Sequence, residues 1–411
     1  VTAAAQLDEA ARLAEVRAQF PALARRHNGH SVAYFDGPGG TQVPQCVVDA
    51  MGNYLLHHNA NTHWEYPTSR ETDALIDAAR QAFADFFNAT PAEVVFGPNM
   101  TTLTFHLARA LGRAWAAGDE VVVTELEHHG NVGPWQALAV ERGIRLRWVP
   151  LHPADGTLDL DDLAAALGPR TRLVTFGWAS NALGTVNDVA AICRLARQAG
   201  ALTFVDAVHS APHLLPDVAL LGCDFLVCSA YKFYGPHLGI LYARRARLES
   251  LDVPKVAPAP DTAPERLELG TQIHEGIVGA ARAVDFLAEL AAPPPGPRRA
   301  RLEASYRWLR QRGDRQAREL WDGLRSIPGL RCYGPPPASP RTPTISFSWS
   351  RPSAQVAAAL AERGVFASHG DFYAATVIQR LGVEGLVRVG CACFTDREID
   401  QLLQALTDLG R

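Results

Sequence analysis

Apolar and polar positions along this chain alternate between two periods. From about residue 90 to 245, short β-branched runs are followed by longer stretches whose apolar residues recur at helical spacing. "EVVF" leads into "NMTTLTFHLARALGRAW", and "DEVVVTEL" into "PWQALAVERG". "RLVTFGW" leads into "DVAAICRLARQAG", and then come "ALTFVDA" and "DFLVCSA". Strands joined by amphipathic helices predict an α/β fold with a largely parallel sheet and helices on both faces. Ligands of such sheets bind at the carboxyl ends of the strands. The candidate chemistry in this sequence falls at those ends.

The stretch "AAPPPGPRRA" at 291–300 breaks the rhythm and marks a domain junction. Beyond it the pattern predicts a long charged helix (about 299–326), a strand "TPTISFSW", a helix "SAQVAAALAERG" and a strand "GLVRVGCACF". The closing helix "TDREIDQLLQALTDLG" carries the signature of a capping box, with Thr395 as N-cap and Glu398 completing it. This is a compact α+β unit. Cys391 and Cys393 fall inside its last strand-like run and read as packing residues.

Composition narrows the picture. A chain of 411 residues is too long for one small core and suggests one large and one smaller domain. Net charge of −4 gives no case for nucleic acid or an anionic membrane as partner. The first twenty residues read as an amphipathic helix without a signal peptide's apolar centre, and no apolar run reaches the ~18 residues of a membrane span. Seven scattered cysteines point to reduced thiols in a cytoplasmic compartment. No spacing suits a metal: His57, His58 and His63 sit close in sequence but lack a fixed helical interval, and read instead as a loop at the mouth of a site. "FDGPGG" lacks the spacing of a nucleotide-binding loop.

The chemistry gathers around "CSAYKFYGPHLGIL", where Lys232 stands between two aromatics in an apolar run. A snorkelling lysine is the bland explanation; a lysine held for covalent chemistry is the sharper one. Thr101 and Thr102 open a helix, whose free amides suit a phosphate. His128 and His129 follow one strand, Asn181 another, and Asp206 with His209 a third. An Asp at the buried end of an apolar strand needs a cationic partner, and the protonated ring nitrogen of pyridoxal 5'-phosphate (PLP) is one. Together these groups supply what PLP requires: an amine, a carboxylate for the ring nitrogen, a helix N-terminus for the phosphate, and a flat residue to cover one face. Apolar surroundings favour the neutral amine of Lys232.

These residues also carry a resemblance. "VRAQFPAL", "YFDGPGGTQVP", "ELEHHGNVGPW", "ASNALGT", "FVDAVH", "SAYKFYGPHLGIL" and "RVGCACFTDREID" resemble, in order and spacing, the class V (fold-type I) aminotransferase family, closest to cysteine desulfurase-like proteins. The resemblance implies a large PLP-binding domain over 31–290, a small C-terminal α+β domain over 291–411, and an N-terminal helical segment, 1–30, packing with the small domain. It implies that Lys232 bonds to the cofactor and moves the Cα proton, that Asp206 pairs with the ring nitrogen, and that His128 stacks over the ring. Asn181 and His209 lie near the phenolic oxygen, with His209 where desulfurases usually have Gln. Thr101, Thr102 and Ser229 hold the phosphate, Arg388 grips the substrate carboxylate, and Gly37 lets the substrate approach closely. Thr271 matches a residue that reaches the phosphate of the other subunit, which implies a homodimer.

Besides His209, the sequence departs from desulfurases at Tyr231, where they usually have His before the lysine, and at one loop. The stretch "GVFASHGDFYAATVIQRLG" (364–382), where the family places its sulfur-accepting thiol, contains no Cys. That favours β-elimination from cysteine-type or selenium-containing amino acids, with Ser368, His369, Asp371 and Tyr373 near the leaving group. Epimerisation and amino transfer are alternatives on the same fold, and a PLP-binding scaffold is the alternative outside enzymology.

Overall fold

The computed structural model describes residues 3–411, with side chains from Glu9 onward. The chain opens with α1 (Ala3–Ala18), α2 (Gln45–His57) and α3 (Pro67–Phe87). Then β1 (Val94–Gly97), α4 (Met100–Gly112), β2 (Glu120–Thr124), α5 (Gly133–Arg142) and β3 (Arg145–Val149) follow. Next come β4 (Thr171–Gly177), α6 (Val189–Gln198), β5 (Leu202–Asp206), β6 (Phe225–Ser229), β7 (Gly239–Ala243) and α7 (His274–Glu289). These strands form one seven-stranded sheet in the order β1-β7-β6-β5-β4-β2-β3. It is parallel except for β7, which runs against both of its neighbours.

Local sequence explains the layers. β1, β6 and β7 are buried along their whole length, as unbroken apolar strands covered on both faces should be. α6 buries Val189, Ile192, Cys193 and Ala196 at helical spacing, and Asp188 caps it by accepting from the Ala191 amide at 3.0 Å. Phe83, Phe86, Phe87 and Phe96 fill the core on one face of the sheet.

After α8 (Arg298–Arg325), a second sheet of four antiparallel strands forms from β8 (Arg331–Tyr333), β9 (Thr344–Ser348), β10 (Ser368–Gly370) and β11 (Leu386–Gly390), in the order β8-β9-β11-β10. The chain closes with α9 (Glu398–Leu409). Phe20, just past α1, meets Tyr234, Phe286 and Phe394 edge-on, and Arg17 pairs with Glu398 at 2.7 Å. Among the described residues no helix is long and apolar enough to cross a membrane.

Two local expectations are corrected. The capping box does not form: α9 starts at Glu398, and the buried Thr395 hydroxyl accepts from the Ala392 amide at 2.9 Å, closing the preceding turn instead. The Glu398 carboxylate accepts from the Asp396 amide at 2.7 Å, still serving a free donor ahead of the helix. The last strand also stops sooner than its apolar run. β11 ends at Gly390, so Cys391 and Cys393 lie beyond it, both buried.

Candidate active site

Five loops at the carboxyl ends of the large sheet, together with β10, β11 and the residues around Asp36, enclose a cavity of about 1110 Å³. Lys232 stands in a single helical turn directly after β6. Its two aromatic neighbours have opposite duties. Phe233 turns into the core and stacks on Phe86 at 5.4 Å, anchoring the turn, while the Tyr231 ring lies 4.8 Å from the Lys232 amine. The amine donates to the carbonyls of Pro38 (2.6 Å) and Gly39 (2.8 Å). Burial, helped by the Arg388 charge, lowers its pKa to about 8.

Asp206 ends β5 on the cavity wall. Burial raises its pKa to about 6, and the Val208 amide donates to it at 2.9 Å. It therefore offers a carboxylate short of positive charge. His128, at the end of the loop after β2, accepts from the Gly130 amide at 2.9 Å. Burial, then the charges of Lys232 and Arg388, lower it to about 4, so its ring is a neutral, flat surface at neutral pH. His209 is buried, holds Thr342 Oγ1 at 3.0 Å, and is kept neutral by burial. Asn181 donates to the Phe372 carbonyl at 2.9 Å, and its Oδ1 is buried without a partner among the described residues.

At the other end of the cavity, α4 points its N-terminus inward. Asn99 is the N-cap, accepting from the Thr102 amide (2.9 Å) and hydroxyl (3.1 Å). Ser229 Oγ accepts from the Met100 amide at 3.2 Å, which leaves its hydroxyl proton free. The close approach of this loop depends on Gly239, where a Cβ would fall 2.4 Å from the Asn99 backbone.

Arg388, on β11, is buried with its guanidinium aimed into the cavity. It donates to Ser368 Oγ (3.1 Å) and the Asn181 carbonyl (3.1 Å), and faces Asp36 at 3.4 Å. Phe372 lies under it, 4.5 Å from guanidinium carbon to ring centroid. Phe372 and Tyr373 both adopt left-handed backbone (φ 56° and 57°). The loop they form is fastened: the His129 amide donates to the Tyr373 carbonyl at 2.7 Å, Asn181 holds Phe372, and Arg380 pairs with Glu125.

The cavity thus gathers Thr101, Thr102, His128, Asn181, Asp206, His209, Ser229, Lys232 and Arg388. Ser368, His369, Asp371 and Tyr373 line it too. Gly37 and Thr271 are outside its lining; Gly37 faces the Gly390–Cys391 backbone, and Thr271 is exposed on the segment before α7. Three contributors escaped the sequence reading. Asn99, not a threonine, caps α4. Asp36 supplies the negative charge beside Arg388. Glu127 is buried beside His128, accepts from Thr124 Oγ1 (2.5 Å), Asn131 Nδ2 (2.8 Å) and the Gly177 amide (2.9 Å), and is pushed up to about 7 by burial. Its only signal was its place directly before His128 in "ELEHHGN".

The residues present fit PLP. Asp206 is a buried carboxylate awaiting a cationic donor. Asn181 Oδ1 is a buried atom without a partner among the described residues. The helix N-terminus and the free Ser229 hydroxyl suit a phosphate, and Lys232 is partly deprotonated near neutral pH.

Comparisons with known proteins bear on the family and the fold. Residues 33–402 match the family model described as Aminotransferase class-V. The chain is 35% identical over 410 residues to a cysteine desulfurase of Klebsiella pneumoniae, covering 95% of this chain and 97% of that one. It is 33% identical to a cysteine desulfurase of Salmonella choleraesuis, with 97% and 98% covered. Among solved structures, the apo cysteine desulfurase of Thermococcus onnurineus NA1 superposes with a TM-score of 0.86 at 27% identity, covering 96% of this chain and 97% of that chain. A C-DES mutant with glycine covalently linked to its PLP cofactor superposes with a TM-score of 0.76 at 25% identity, covering 95% and 99%.

Proposed function

The chain belongs to the class V aminotransferase family and is a cysteine desulfurase-like PLP enzyme, and from that premise we propose that it is a C–S (or C–Se) lyase. It releases the β-substituent of a cysteine-type amino acid without passing sulfur to a protein thiol. The carrying observation is the distribution of thiols. None of the seven cysteines lines the cavity, and the loop over 364–382 has none. Cys391 and Cys393 are buried, and burial raises both, Cys393 to about 12, so neither offers a thiolate.

Asp206 would hold the PLP ring nitrogen, the α4 N-terminus with Thr101 and Ser229 the phosphate, and His128 one face of the ring. Bound there, PLP draws electrons from the substrate Cα and makes its proton acidic. Arg388 grips the substrate carboxylate; Phe372 beneath it and Ser368 beside it fix the plane of the fork. Lys232 takes the Cα proton with its neutral amine. Ser368, His369, Asp371 and Tyr373 stand at the wall where the leaving group departs, and a protonated member supplies its proton. For cysteine, one water is consumed and pyruvate, ammonia and hydrogen sulfide are formed.

The working unit in this reading is a homodimer. Thr271 lies outside its own cavity, between exposed Leu269 and Ile273, available to a partner's phosphate site. Exposed Val48, Leu55 and Leu56 on α2 and Trp64 and Tyr66 after it give a second copy apolar surface to cover.

The test is proton NMR of the PLP-loaded protein in heavy water with cysteine, cysteine conjugates and selenocysteine, beside Lys232→Ala. Lys232-dependent loss of the Cα–H signal with pyruvate supports the lyase. Alanine as product overturns it in favour of desulfuration. Racemised substrate without product indicates an epimerase, and a pyridoxamine-form absorbance that reverts with a keto acid indicates amino transfer.

A further inference from the structure

The segment carrying Asn181 is tied to the small sheet by its backbone. Four consecutive carbonyls, those of Asn181, Ala182, Leu183 and Gly184, each accept from the C-terminal part of the chain: Arg388 Nη1 (3.1 Å), Ser346 Oγ (2.5 Å), Arg341 Nη2 (3.3 Å) and the Thr342 amide (2.8 Å). Gly184 permits this path, with φ of +77° and a would-be Cβ 2.5 Å from the Thr344 carbonyl.

Arg341 is the hub. Only 4% exposed, it also donates to the carbonyls of Thr344 (2.6 Å), Thr342 (3.3 Å) and Pro335, and lies over the Trp321 ring at 5.0 Å. It pairs with no carboxylate among the described residues, and burial lowers it to about 10. A buried cation satisfied by carbonyls alone is a costly way to fill space; an apolar side chain would pack there more cheaply. What the guanidinium adds is geometry. Its Nη2 bridges the carbonyls of Leu183, ahead of the large sheet's next helix, and Thr344 on β9, while Nη1 and Nε hold the plane by donating to Pro335 and Thr342.

We propose that Arg341 is a positioning residue, clamping the 181–184 strap to β9 and so holding Asn181 and Arg388 in register across the cavity. The neighbouring Thr342 extends the same clamp to His209 at 3.0 Å. The proposal rests on the reading of Arg388 as the substrate-carboxylate fork. Loss of the clamp loosens the cofactor's phenolic side and the carboxylate grip together, while the phosphate end, built from β1, α4 and β6, stays intact.

The experiment compares PLP-loaded wild-type protein with Arg341→Met, Arg341→Lys and Ser346→Ala, the last removing a single donor should Arg341→Met not fold. The absorbance band of the resting cofactor and the L-cysteine concentration that half-saturates its spectral change are read beside kcat and thermal stability. Arg341→Met is expected to retain PLP, shift the band, and raise half-saturation at least tenfold with a smaller loss in kcat. Arg341→Lys, which keeps the charge but gathers its donors on one nitrogen, recovers part of both, and Ser346→Ala changes both in the same direction by two- to fivefold in half-saturation. If the variants that fold keep the wild-type band and half-saturation and lose only thermal stability, the clamp is structural and the proposal falls. If wild-type protein does not respond to L-cysteine or to other amino acids, the amino-acid reading falls instead, and the resting band alone decides for or against Arg341.

Discussion

In the proposed reaction, Lys232 owes its reactivity to where its neighbours point. Phe233 locks the turn into the core, Tyr231 offers its face, and burial brings the amine down to about 8. Roughly a fifth of it is then uncharged at pH 7.4, against about one part in a thousand for an unperturbed lysine. Because the depressed pKa means the amine is protonated below 8 and neutral above, uptake of PLP by apoprotein should accelerate as pH rises through 8 and then level off. Stopped-flow absorbance at several pH values checks this; a rate independent of pH between 6.5 and 9 would show that Lys232 does not set it. His128 adds no pH dependence in this window, since it titrates near 4. The lysine and Asp206 were legible in the sequence because each directly follows an apolar run that had to be a central strand. Glu127 and Asp36 were not. Their importance comes from what lies across the cavity, and spacing along the chain carries no record of that.

At the scale of elements, the site is a set of strand ends brought level by register. β7 runs antiparallel between β1 and β6, setting Gly239 opposite Gly97, and it is this pairing that presses Gly239 onto the Asn99 cap. Gly239→Ala should therefore force the α4 N-terminus away, weakening PLP retention at least tenfold and costing about 1–3 kcal/mol of stability. Equilibrium dialysis and a urea titration of the holoprotein measure the two effects; unchanged retention would mean the phosphate is not seated at α4. Alternating strand and helix periods made the sheet readable, and the Pro-rich break marked where the second sheet's sequence begins. The helix caps were less readable. Thr102 and Thr395 are residue types that favour caps, yet Asn99 took the first position and tertiary burial turned the second toward a different amide. The glycine-rich turn at 37–40 was visible as a turn, but which glycine meets the site depends on Asp36, whose carboxylate fills the space beside Gly39.

For the whole molecule, the exposed apolar residues on α2, the following loop and the approach to α7 carry a prediction. Sedimentation should find a dimer, and Leu56→Glu combined with Ile273→Glu should shift it toward monomer with weaker PLP binding, since Thr271 would no longer reach a second phosphate. A wild-type monomer retaining PLP would remove Thr271 from the site. The burial of the thiols has a different consequence, in chemical durability. An enzyme that depends on a loop thiolate is poisoned by whatever alkylates or oxidises it. Here five cysteines are buried, the partly accessible Cys46 and Cys332 lie off the cavity, and both have raised pKa values. Activity should accordingly survive iodoacetamide or mild peroxide at concentrations that silence a thiolate-dependent desulfurase, with turnover within about twofold of untreated enzyme. Under the proposed lyase reaction, a catalyst built this way keeps working when the redox state of its surroundings shifts, because that reaction has no thiolate step for oxidants to reach.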